Sequence, residues 1–270
     1  MSNAPELGAE VAYSLLKYEE MKGLLWLAAL VLPSGLQATT LLYSHTGSAN
    51  PTTEGWIRTA TTTVVGEAFD DEGRDVWRVY DPGLSTGGTS LTYSAVMNAT
   101  LATSVMATGW DLSTTLSVPT DDPTIGNAIG TDSNAWVGLI VNETLTNRRV
   151  WALMFGRAAN GDTLVAAYGV TGTRTLAPGY HDYSLLYDPV TALATISIDG
   201  EVWKTYAGLS LAGNGSQQVY WGDNNGQSTV ITPRAIYYES IQFSSVPEPS
   251  RLLLLGMSGG AGLFRRRRSR

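Results

Sequence analysis

The sequence predicts an all-β fold, a two-sheet antiparallel jelly-roll sandwich, with helical segments only at its two ends. Three observations predict it. Between residues 39 and 245, Thr, Val, Ser, Gly and aromatic side chains dominate, and no segment sustains the 3.6-residue apolar repeat of a surface helix. Short runs rich in β-branched and aromatic residues recur instead, punctuated by Gly, Asn, Asp and Pro. The 270-residue chain also has no cysteine, so one large hydrophobic core, not disulfides, must hold the body together.

Taken in order, strands are expected at residues 75–80, 89–97, 109–118, 135–141, 149–157, 163–169, 181–187, 192–198, 202–206, 218–222 and 235–243. Their connections carry turn chemistry: Asn160-Gly161, Asp188-Pro189, Asp199-Gly200 and the Asp-Asn-Asn-Gly run at 223–226. So many strands are more than one immunoglobulin-like sandwich uses, and that fold is the main competitor.

The two ends differ from the body. Met21-Lys22 supplies a basic start, residues 23–32 an apolar core, and Pro33 and Gly35 break the helix before Leu36-Gln37-Ala38. That order is a secretory signal cleaved after Ala38. Residues 1–20 carry Glu6, Glu10, Glu19 and Glu20 against Lys17, the wrong charge for such a segment, so translation is expected to start at Met21. At the other end Val246-Pro247-Glu248-Pro249 leads into an apolar stretch at 252–264 and then Arg265, Arg266, Arg267 and Arg268. A Pro-flanked carboxylate continues neither helix nor strand, and an arginine cluster stays cytoplasmic.

This C-terminal order resembles the PEP-CTERM sorting signal of Gram-negative bacteria. The resemblance implies export through the secretion machinery, transient insertion in the inner membrane, cleavage near Pro247-Glu248-Pro249 by an exosortase, and delivery to the cell surface or extracellular matrix. The apolar stretch falls short of the roughly 20 residues of a perpendicular membrane helix and is rich in glycine, so it holds the membrane only briefly. The resulting organisation is an extension at 1–20, a signal peptide at 21–38, an N-terminal segment at 39–60, the sandwich at 61–245 and the sorting signal at 246–270.

Residues 179–200 alternate His181, Tyr183, Leu185 and Tyr187, turn at Asp188-Pro189, return with Ala194, Ile196 and Ile198, and turn again at Asp199-Gly200. This meander resembles that of concanavalin A-like (laminin-G-like) sandwiches, where a His-x-Tyr strand, a Tyr-Asp-Pro-x-Thr turn and an Ile-Asp-Gly turn follow one another. Gly109-Trp110-Asp111-Leu112-Ser113 and the strand at 235–243 fit the same outline.

The formal net charge is −7 at pH 7, and the arginine tail conceals a more strongly acidic body. Such a body repels phosphate backbones, which excludes nucleic acid as a partner. Catalysis finds little support. His45, placed just past the cleavage site, is expected in a loose N-terminal segment, and His181 is expected to be structural. There is no Gly-x-Ser-x-Gly elbow or His-Glu-x-x-His helix. The acidic run Asp70, Asp71, Glu72 and Asp75 lacks the spacing of a glycosidase pair, and Glu239 stands alone.

Binding is better supported. Domains of the concanavalin A-like kind often hold Ca²⁺ through loop oxygens, and Asp121 and Asp122 are the first candidates, ahead of Asp132 and Asp70-Asp71. Of the tryptophans, Trp110, Trp136 and Trp151 lie in apolar strands and are expected in the core. Trp221, with Asp223, Asn224 and Asn225 beside it, is the candidate sugar-stacking platform. The leading expectation is a non-enzymatic, exported protein that binds extracellular polysaccharide. A glycosidase or lyase on the same fold and a purely structural matrix protein are the alternatives.

Overall fold

The computed structural model describes residues 39–60, 64–82, 90–119, 135–223 and 234–246. Of the expected sites, Ala38, Asp121, Asp122, Asp132, Asn224, Asn225 and everything from Pro247 onward lie outside the described residues. The first elements are β1 (Thr40–Thr46), a 3₁₀ turn (Pro51–Glu54), β2 (Ile57–Ala60), β3 (Val65–Asp71), β4 (Arg74–Asp81), β5 (Leu91–Val96), α1 (Ala99–Thr108), β6 (Trp110–Ser117) and β7 (Ala135–Asn142). There follow β8 (Asn147–Arg157), β9 (Thr163–Ala167), β10 (Thr173–Leu176), β11 (Tyr180–Asp188), β12 (Leu193–Ile198), β13 (Glu201–Tyr206), β14 (Leu209–Ala212), β15 (Gln218–Asp223) and β16 (Arg234–Ser245).

The strands form two antiparallel sheets, a sandwich as the sequence predicts. The first runs β13-β12-β11-β6-β16-β4-β3, with β1 also paired to β16. The second runs β10-β9-β8-β7-β15-β5-β2, with β14 also paired to β8. Because side chains alternate along a strand, each sheet buries one row and presents the other. Trp77, Trp110, Leu112, Tyr183, Ile196, Tyr238 and Phe243 face inward from the first sheet, and Tyr93, Val137, Leu139, Trp151, Phe155 and Trp221 from the second. In β16 the register slips between Tyr238 and Ser240. This bulge re-phases the strand, so Tyr238 and Ile241 both reach the core although three residues apart.

Several expectations need correction. Residues 39–60 are not a separate segment: β1 pairs with β16 and β2 with β5, so the sandwich begins at β1. His45 is not in a loose segment; it is fully buried in β1. One helix, α1, interrupts the body. Asn98 caps it by accepting from the Leu101 amide at 2.8 Å, and Gly109, at φ 99°, ends it. Its Ala102 and Val105 pack on the core, but Thr100, Thr103, Ser104 and Thr108 blur the apolar repeat that would have announced it.

Among the described residues, no helix is long and apolar enough to cross a membrane.

Candidate functional site

The outward row of the first sheet builds a groove. In register across four strands lie Arg78 of β4, Tyr237 of β16, Ser117 of β6 and Tyr180 of β11. Ser117 is the small residue between two tyrosines, so the row dips at its centre. Phe69 and Asp71 of β3, and Arg74 of β4, share this face by the same alternation. Together they line a groove of about 560 Å³.

Its aromatic and charged groups are locked to one another. Phe69 and Tyr237 have ring centroids 5.0 Å apart. The Arg78 guanidinium lies over Tyr80 at 4.5 Å and Phe69 at 5.1 Å and donates to Glu67 at 3.3 Å. Arg74 lies over Tyr180 at 4.6 Å and donates to Glu239, the residue at the β16 bulge, at 2.7 Å. The Tyr180 hydroxyl donates to Asp71 Oδ2 at 2.6 Å. Burial first, then the hydrogen bond and charge of Asp71, push that hydroxyl far above its ordinary range, so it stays a donor. Fixed rings beside arginine–carboxylate pairs suit a ligand with an apolar ring face and many hydroxyls.

Of the residues singled out by sequence, Asp71 and Glu72 line this groove, while the expected sugar platform falls elsewhere. Trp221, the expected platform, is 0% exposed, and Asp223 is buried beside it. The reason is parity: Trp221 sits opposite Tyr93 and Val137, both inward-facing. Trp136, expected in the core with Trp110 and Trp151, instead faces out from the second sheet, packed against Tyr168 and Tyr220. The acidic turn is a hairpin tip, with Glu72 and Gly73 both at positive φ and Asp70 accepting from the Gly73 amide at 2.7 Å. Among the described residues no three His, Cys, Asp or Glu side chains converge to hold a metal ion.

Neither histidine meets a hydroxyl. His181 pairs through Nδ1 with Asp199 at 2.7 Å and through Nε2 with the Ala177 carbonyl at 2.8 Å. His45 Nδ1 reaches Glu54 at 2.6 Å, while its buried Nε2 has no hydrogen-bond partner. The aromatic and basic groove residues were missed by sequence reading although one signal was present. Arg74, Val76, Arg78 and Tyr80 repeat every second residue, which puts two cations and an aromatic on one face of a strand.

No protein-family model matches the chain, nor does any curated protein. Among solved structures, a conserved carbohydrate esterase from the Shiga toxin-encoding bacteriophage phi24B is 14% identical over 77% of this chain and all of that one, with a TM-score of 0.52. That likeness is one of fold. The binding domain of botulinum neurotoxin DC in complex with rat synaptotagmin II gives 9% and 0.44. Botulinum neurotoxin type C, whose cell entry depends on two ganglioside molecules, gives 10% and 0.45. This chain spans about half the length of both neurotoxin chains, 51% in each, while they match 81% of it.

Proposed function

We propose that this protein is a non-enzymatic carbohydrate-binding β-sandwich, exported and sorted to the cell surface or extracellular matrix. The observation that carries the binding half is the groove beside the half-buried Tyr180, with the buried Tyr237 as its floor. A pyranose offers an apolar C–H face to an aromatic ring and hydroxyls to groups such as Arg74, Asp71 and Ser117. Among the described lining residues Arg74 and Arg78 stand against Asp71 and Glu72, so their charges balance. Balance favours a neutral sugar over a charged one.

The esterase activity of the phage protein gives a second reading on the same fold. Ester hydrolysis through a serine needs a base hydrogen-bonded to the nucleophile. Both described histidines are committed elsewhere, which favours binding over chemistry. The sorting half rests on the segment at 246–268 and its resemblance to exosortase substrates.

The binding test is a panel of immobilised neutral polysaccharides probed with the full chain and with Y180A/Y237A. At least one polymer should retain the full chain, and the double variant should weaken that binding by about tenfold or more, a loss of ~1.4 kcal/mol. Retention unchanged in a folded double variant would refute the groove.

A further inference from the structure

The outward face of the second sheet carries a different constellation. Trp136 of β7, Tyr168 just after β9 and Tyr220 of β15 surround a cleft of about 250 Å³. Trp136 and Tyr168 have ring centroids 4.8 Å apart, and Trp136 and Tyr220 6.5 Å. Gly138 shapes the floor. A Cβ there would approach the Ala152 Cβ to 2.7 Å and the Tyr220 ring to 3.0 Å, so only glycine lets that ring lie across β7. The cleft is the size of one sugar ring, not of a long polymer segment.

Its charge is one-sided. Among the described residues of the lining, Arg148 is the one with a charge, and no described carboxylate joins it. Every other basic side chain described is engaged. Arg58 reaches the Tyr93 hydroxyl. Arg74, Arg78, Arg149 and Arg174 pair with glutamates. Arg157 and Lys204 donate to carbonyls. Arg148 alone makes no hydrogen bond or ion pair with any described residue, and its Nε is buried without an acceptor. In a chain of net charge −7, an arginine with no described carboxylate beside it is free to meet an anionic ligand.

The other polar groups at the cleft point the same way. Trp136 Nε1 is also buried with no acceptor. Burial, first of all, keeps the Tyr220 hydroxyl protonated by raising it far above its ordinary range. Among its described residues the cleft therefore offers donors and aromatic walls but no anionic acceptor. A guanidinium fork matches a carboxylate in a bidentate way, and a flat ring face covers an indole or phenol. We propose that this cleft binds a carboxylated sugar, a hexuronate residue of an acidic polysaccharide, with Arg148 on the carboxylate and Trp136 and Tyr168 against the ring. The site lies on the opposite sheet from the balanced groove and does not depend on that groove binding anything.

The test compares tri-galacturonate with neutral galactotriose in titration calorimetry of the full chain at low salt. Tri-galacturonate should bind at least tenfold tighter. R148Q should lower its affinity by about tenfold or more at unchanged Tm, R148K should fall between because it keeps charge but loses the fork, and W136A should abolish binding. Y180A/Y237A should leave it unchanged, which separates this site from the other groove. Equal affinity for the two trisaccharides, an R148Q variant that binds as well as the parent, or loss in Y180A/Y237A alone would each overturn the proposal.

Discussion

His45 lies in β1 against Trp221, with centroids 4.8 Å apart, and meets the edge of Trp77 at 6.2 Å. Burial holds its imidazole below the ordinary value, with the hydrogen bond and charge of Glu54 opposing. The folded ring is thus neutral and donates through Nδ1 to the Glu54 carboxylate. An unfolded chain protonates His45 as pH falls through about 6.5, whereas the folded chain does so only at lower pH. Stability should therefore be fully present above that value and decline as pH drops below it. Urea midpoints measured from about pH 7.5 to 5 should fall for the parent and stay nearly level for H45Q. The two tryptophans whose roles exchanged make a related contrast. Truncating Trp221 to alanine should cost about 3–5 kcal/mol, as for a core indole, while W136A should cost much less. In Ala135-Trp136-Val137-Gly138-Leu139-Ile140-Val141 apolar residues run continuously, so the pleat parity that decides which side faces water was not legible.

Elements were legible where local chemistry was strong. The meander from β11 to β13 was readable because its turns announce themselves: Asp199 and Gly200 adopt φ 52° and 79°, as a tight Asp-Gly hairpin requires. The Asp199 carboxyl is raised by burial but held below its ordinary value overall by the Asp182 amide, His181 and Arg174, so that turn weakens only in strong acid. By contrast, α1 was hidden by its Thr-rich sequence, and β10 and β14 are each only four residues long. β10 pairs locally with β9 but is too short to show a repeat, while β14 pairs with β8 about sixty residues away, which no local window contains. For α1, removing the Asn98 cap is the sharpest test: N98A should lower stability by about 1 kcal/mol in thermal or urea unfolding.

At the scale of the whole molecule, two sheets stand back to back with different outer faces. One bears arginines paired with carboxylates beside Tyr180 and Tyr237; the other bears Trp136 and Arg148, whose side chain has no partner among the described residues. The fold class and most strands followed from composition and turn residues, but the groove did not, because it joins β3, β4, β6, β11 and β16 and exists only once the sheet is assembled. The sorting reading adds a separate expectation. Protein recovered from the surface of a bacterium possessing an exosortase should, by intact mass, lack the residues before 39 and the arginines at 265–268. The central claim is sugar binding by the first sheet, and one measurement bears on it most directly: retention of the folded full chain and of Y180A/Y237A on the same neutral polysaccharide. The account predicts tight retention of the parent and a loss of about tenfold or more in the variant, measured at a temperature where circular dichroism shows the variant folded, because Tyr237 is buried and its truncation lowers Tm. A variant retained as well as the parent, or a parent retained by no polymer in the panel, would contradict it.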